Sequence, residues 1–271
     1  MSDSPATNPS PSRPSPSRGC ASPSPTSSSP GSASKPEILE ANAKLTLSLR
    51  ITGIRDDGYH LISAEMVSLD LCDHLEIREG GDSFTIVRDG VAVAGTDDDL
   101  VQQALRLSGR RADVVLHKNI PAGAGLGGGS SDAAAVLRWA GVKDPLLAVS
   151  LGADVAFCLS GGRAQVTGIG EGIEALEPVD RTFTLMTPPI HCSTPVVYRM
   201  WDQMGGPVGD HGNDLEPAAL AAYPELLPWR DKMAQAVGLR PRLAGSGSTW
   251  FVEGAFPGTG RVVTRSIGAR S

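Results

Sequence analysis

Residues 121–134 read PAGAGLGGGSSDAA, and this is where the chain is best equipped for chemistry. Glycines at 123, 125, 127, 128 and 129 leave the backbone bare, and two serines and an aspartate follow at once. Glycine inside a domain carries an entropic cost, so a cluster needs a reason. Bare N–H groups feeding a helix N-terminus form a cradle for an anion, because the amides and the positive helix end both favour negative charge. A serine hydroxyl at 130 or 131 could also ligate Mg2+, as the serine or threonine of a P-loop does. A flexible linker and a ligand-free Ω-loop are the competing readings. Gly123-x-Gly125-x-x-Gly128 formally fits a dinucleotide fingerprint, but that motif needs a second strand after the helix, ending in a ribose-binding acid. Here Lys143–Asp144–Pro145 leads into a further helical stretch instead. No lysine follows the glycines as a Walker A loop requires, and there is no G-x-S-x-G elbow. An oligophosphate is the ligand that best suits what remains.

Other side chains offer less. Cys20, Cys72, Cys158 and Cys192 are widely spaced, with no C-x-x-C, and read as small apolar residues in a reducing compartment. The five histidines form no H-E-x-x-H, so no protein metal site is expected. The net charge of −6 and the lack of a basic block argue against nucleic acid or an anionic membrane as partner. No apolar run approaches the roughly 20 residues that span a bilayer, and the expected location is cytoplasmic.

The elements that must position the glycine cluster follow from patterning. Residues 1–36, rich in Ser and Pro with little to bury, are expected to be a disordered tail. Alternation through Lys44–Leu45–Thr46–Leu47–Ser48–Leu49 predicts a strand, with a turn at Gly58 and further strands over 60–80 and 82–88. TDDDLVQQALRLSG reads as a helix capped by Thr96, RADVVLHKNI as a strand, and SDAAAVLRWAG as the helix behind the glycines. A short helix is expected over 145–151, then turns and short strands through GADVAFCLSGGRAQVTGIGE. Beyond residue 173 the pattern predicts the strand TFTLMTP, the helix PVVYRMWDQM, helices over 218–227 and 229–237, and two strands around AGSGS. The final residues show little pattern. Mixed strands and helices without strict alternation predict an α+β fold.

Several separated motifs resemble one family. PAGAGLGGGSSDAA resembles the phosphate-binding motif of the GHMP kinases, which include galactokinase, homoserine kinase and mevalonate kinase. ANAKLTLSLRITGIRDDGYH, LGADVAF, NDLEP and LAGSGSTWF resemble, in order, motifs of those members that act on a cytidine diphosphate derivative of methylerythritol. The resemblance spans nearly all of the chain after the tail. It implies a two-lobed fold, with lobes over 37–172 and 173–271, and transfer of phosphate from ATP with Mg2+ to the substrate's 2-hydroxyl in non-mevalonate isoprenoid synthesis. It implies that Lys44 and Asp154 are the catalytic pair. Pro121, Ala122, Gly123, Ala124, Gly125, Leu126, Gly127, Gly128, Gly129, Ser130 and Ser131 would hold ATP. Thr46, Tyr59, His60 and Tyr198 would hold the substrate, the aromatic residues around its cytosine. A monomer or homodimer is expected. Thr46 stands where the family has asparagine, Asn42 and Ala156 where it has proline, and Asp99 where an adenine-pocket asparagine is usual; the span from 131 to 154 is short. The alternatives are another GHMP kinase, for homoserine or a mevalonate derivative, or a member that binds nucleotide without turnover; a Rossmann dehydrogenase is the least supported.

Overall fold

The computed structural model describes residues 35–269; of the tail expected over 1–36, only Lys35 and Pro36 fall within them. Strand β1 (Glu37–Ile54) turns through Asp57–Gly58 into the long β2 (His60–Glu79). Then come β3 (Phe84–Arg88), β4 (Val91–Ala94), helix α1 (Leu100–Leu107), β5 (Ala112–Lys118) and α2 (Gly128–Trp139). They are followed by α3 (Pro145–Val149), α4 (Ala153–Ser160), β6 (Arg163–Gly168), β7 (Gly172–Ala175) and β8 (Thr182–Met186). The remainder is α5 (Thr194–Gln203), α6 (Glu216–Ala222), α7 (Leu226–Val237), β9 (Arg242–Leu243), β10 (Trp250–Glu253) and β11 (Val262–Ile267). No helix among the described residues is long and apolar enough to cross a membrane.

The strands join in one mixed sheet in the order β4-β3-β5-β2-β11-β8-β10-β9, with β1 and β6 also on β2 and β7 on β6. Among the described strands only β3 and β5 pair in parallel. This is the expected α+β class. The stretches over 37–172 and 173–271 meet in this sheet, since β11 pairs with β2 through Ser266 and Ile267 and with β8 through Val262–Arg265.

β1 shows how the sequence places its chemistry. Register shifts fall between Asn42 and Lys44 and between Thr46 and Ser48. Each shift changes which face an odd-numbered residue meets. Ala41 and Leu49 therefore pack into one core, while Ala43, Leu45 and Leu47 pack into a second with Ile120, Ala124, Leu126 and Phe251. Lys44 and Thr46 point away from that second core, yet both are buried.

The larger core packs helices α1, α2 and α4 on the sheet and continues into α5, α6 and α7 through Val197, Ala218, Ala219, Leu226 and Met233. Alanine-rich α2 is buried along most of its length, from Ser131 to Leu137, and alanine is both the best helix former and small enough for close packing. Three local expectations are corrected. Ala153–Ser160 is a helix, not turns and short strands; Val155 through Leu159 are all buried, and a continuous apolar run of this length does not distinguish a buried helix from a buried strand by pattern. Asp99, not Thr96, caps α1, accepting from the Val101 amide at 2.8 Å. The patternless C-terminal stretch holds β11, which buries only Thr264.

Candidate active site

The glycine loop between β5 and α2 is pinned, not loose. The Lys44 amide donates to the Leu126 carbonyl at 2.9 Å, and the Thr249 amide to the Ala124 carbonyl at 3.1 Å. Ala124 and Leu126 are buried in the second core while Gly123, Gly125 and Gly127, which alternate with them, turn with positive φ. Glycine is needed here for space as well as φ. A Cβ on Gly127 would meet Lys44 Cγ at 2.7 Å, and one on Gly125 would meet the carbonyl oxygens of Ala244 and Gly247 at 2.6 Å. These contacts argue against the linker reading. Gly127 caps α2 with no side-chain bond to the first amides, which leaves them for an anion.

A cavity of about 390 Å3 lies over this loop, lined by residues 121–130 with Asp99, Lys118, Asp132 and Asp154. A second cavity of about 520 Å3 is lined by Lys44, Thr46, Tyr59, His60, Tyr198 and their neighbours. Ser130, Asp154, Thr194 and Ser246 border both. The fold thus brings the predicted residues together around one junction, with one departure. Ser131 lines neither cavity; it is buried, and its hydroxyl donates to the Asn42 carbonyl at 2.6 Å.

At the junction, Lys44 Nζ lies 3.0 Å from Asp154 Oδ2. It also donates to Thr46 Oγ1 at 3.1 Å, so the threonine orients the ammonium. Asp154 sits in the first turn of α4, where the positive helix end favours its carboxylate. Its side chain is 31% exposed against 6% for Lys44, so the carboxylate reaches the junction while the ammonium sits behind it. Such a pair can accept a proton from an alcohol and steady negative charge nearby.

In the second cavity His60 is held by α5. Its Nε2 lies 2.7 Å from Asp202 Oδ1, and its ring is 4.8 Å from the Tyr198 ring and 5.4 Å, edge-on, from Trp201. Burial, with the Asp154 charge adding, pushes the Tyr198 phenol far above its usual value, so it stays neutral. Tyr59 is exposed, and the Arg55 guanidinium lies 5.3 Å over its ring, tied at 2.5 Å to Asp57.

Sequence reasoning missed Lys118. Its ammonium pairs with Asp132 at 2.6 Å and with Asp73, which is fully buried. Burial works against the ammonium, but Asp132 and Asp73 outweigh it and its pKa is raised. Burial raises the Asp132 carboxyl, against the attraction of Lys118 and with the repulsion of Asp73. Asp73 also accepts from the Asn119 and Ile120 amides, fixing the chain as it enters the loop. The available signal was a lysine three residues before Pro121; its partner Asp73 is 45 residues away. The NDLEP motif holds structure. Asn213 Nδ2 donates to the Leu243 and Gly245 carbonyls at 2.9 and 2.7 Å, and Asp214 pairs with Arg50 at 2.5 Å.

The fold and this junction match a class of small-molecule phosphotransferases. The family model "GHMP kinases N terminal domain" matches residues 98–162, which contain both the glycine loop and Asp154. A solved structure described as 4-(cytidine 5'-diphospho)-2C-methyl-D-erythritol kinase superposes with a TM-score of 0.68 at 29% identity, covering 86% of this chain and 100% of that one. A homoserine kinase from Cytophaga hutchinsonii shares the fold at a TM-score of 0.56 and 17% identity, over 86% of this chain and 95% of its own. The 4-diphosphocytidyl-2-C-methyl-D-erythritol kinase of Cereibacter sphaeroides is 34% identical over 260 residues, 84% of this chain and 93% of that protein. That of Methylibium petroleiphilum is 35% identical over 259 residues, 83% of this chain and 86% of its own. The chain belongs to the 4-diphosphocytidyl-2-C-methyl-D-erythritol kinase family of GHMP kinases.

Proposed function

We propose that this chain transfers the γ-phosphoryl group of ATP to the 2-hydroxyl of 4-diphosphocytidyl-2-C-methyl-D-erythritol. The observation that carries the reading is the convergence of a phosphate cradle and an aromatic pocket on one Lys–Asp pair. ATP phosphates lie on the amides of residues 121–130, and the cytosine lies among Tyr59, His60 and Tyr198. The acceptor hydroxyl then faces Asp154, which takes its proton as the O–P bond forms. Lys44, 3.0 Å from that carboxylate, holds it in place and offsets charge on the transferring group. The transition state is loose, so holding donor and acceptor in line counts for more than early deprotonation.

The donor set fits a Mg2+ carried in largely by ATP. Among the described residues no cluster of three His, Cys, Asp or Glu side chains could cage a metal. The Ser130 hydroxyl, which borders both cavities, is the protein group that would help complete its shell. The ion would neutralise charge on the β- and γ-phosphates.

A coupled assay for ADP release tests the reading, with the cytidyl substrate beside homoserine and mevalonate. Turnover of the cytidyl substrate alone supports it. Turnover of homoserine or mevalonate instead, or of none, overturns it.

A further inference from the structure

His60 borders the second cavity with one ring nitrogen already committed. Nε2 lies 2.7 Å from Asp202 Oδ1, and an ionised carboxylate can only accept. In a neutral imidazole the proton therefore sits on Nε2, and Nδ1 keeps its lone pair. No described residue bonds Nδ1, although the ring lines the cavity. The ring cannot readily turn to exchange its nitrogens. Tyr198 lies against it at 42° and Trp201 edge-on at 86°. Tyr198, Trp201 and Asp202 are spaced i, i+3, i+4, so one face of α5 supplies all three contacts.

We propose that Asp202 is a specificity-determining positioning residue: by holding the proton on His60 Nε2, it leaves Nδ1 as an acceptor that selects cytosine over uracil. This rests on the cytidyl reading given above. The two bases have the same size and charge and differ on one edge. Cytosine offers an exocyclic amine, a donor that suits Nδ1. Uracil offers a carbonyl there, so two lone pairs face each other and neither is satisfied in a partly desolvated pocket. The neutral Tyr198 ring contributes stacking that both bases share, so it adds affinity without discrimination.

The test titrates cytidine diphosphate and uridine diphosphate into the full chain, with a non-hydrolysable ATP analogue saturating the other cavity. The wild type should bind the cytidine compound at least about 10-fold tighter, and Asp202→Ala should cut that ratio about 10-fold. In assays of that variant the KM for the cytidyl substrate should rise while kcat changes less than about 3-fold. 15N NMR of the wild type should show His60 protonated at Nε2 and bare at Nδ1, a readout that does not depend on the variant folding. An unchanged ratio in Asp202→Ala, or a proton on Nδ1 in the wild type, overturns the inference. If the wild type phosphorylates the cytidyl substrate, either result sinks this inference alone; if it does not, the functional reading fails first.

Discussion

Asp154 and Lys44 act as a pair only because β1 and α4 deliver them from opposite ends of the N-terminal stretch to within 3.0 Å. Removing the base while keeping its shape isolates its role. Asp154→Asn should lower kcat by about 10²- to 10⁴-fold, the usual range for a lost general base, with little change in the KM for ATP. Near-normal turnover, measured by coupled assay, would mean the proton leaves by another route. The two buried thiols offer a second check at this scale. Burial, helped by the charge of Asp154, pushes the Cys158 thiol up to about 12, and burial with the charge of Glu225 pushes Cys192 up to about 11. Thiolates are the reactive form, so alkylation near neutral pH should leave both unmodified until urea unfolds the chain. Rapid labelling of Cys158 in the native protein, seen by mass spectrometry, would contradict its placement behind Ser131, 3.4 Å away.

Among the elements, the glycine loop is held open by neighbours that a side chain would strike. Gly127→Ala would drive a methyl into Lys44 at an unfavourable positive φ of 68°, displacing the cradle and the catalytic ammonium together. It should raise the KM for ATP and lower kcat, whereas Gly141→Ala, strained but with open space around it, should cost stability and spare both constants. Equal kinetic losses in the two would count against the cradle. The loop itself was legible in the sequence because glycine density has few explanations, and β1 because Lys44–Leu49 alternates. The helix carrying Asp154 was not. Its eight residues are apolar on nearly all sides, so no period separates helix from strand. Lys118 was hidden for a different reason: its burial depends on Asp73 and Asp132, which reach it from β2 and α2.

Over the whole molecule, charge buried among these elements ties stability to pH. The Asp132 carboxyl is raised in the fold, by burial first, so the native chain binds a proton that the unfolded chain has released. Its contribution is therefore present at low pH and lost as pH rises above the ordinary carboxylate range of about 4. Asp132→Asn should flatten the fall in urea-unfolding free energy between about pH 5 and about pH 8. An unaltered slope would place the titration elsewhere. Core packing sets the larger scale: Phe157→Ala, at a fully buried site, should cost about 3–5 kcal/mol.

β11 has a consequence for how the molecule comes into being. It lies in the middle of the sheet, bonded to β2 on one side and β8 on the other, yet among the described residues it is the last strand in sequence order. During synthesis β2 and β8 leave the ribosome long before the strand that joins them. Until then each carries an unpaired edge, the feature that promotes wrong pairing. A nascent chain stalled before Val262 would thus hold every residue of the junction and still lack the strand that links its halves. Folding of this enzyme is expected to wait for Val262–Ile267 to emerge, and slowed translation there would be felt as aggregation before it was felt as lost activity.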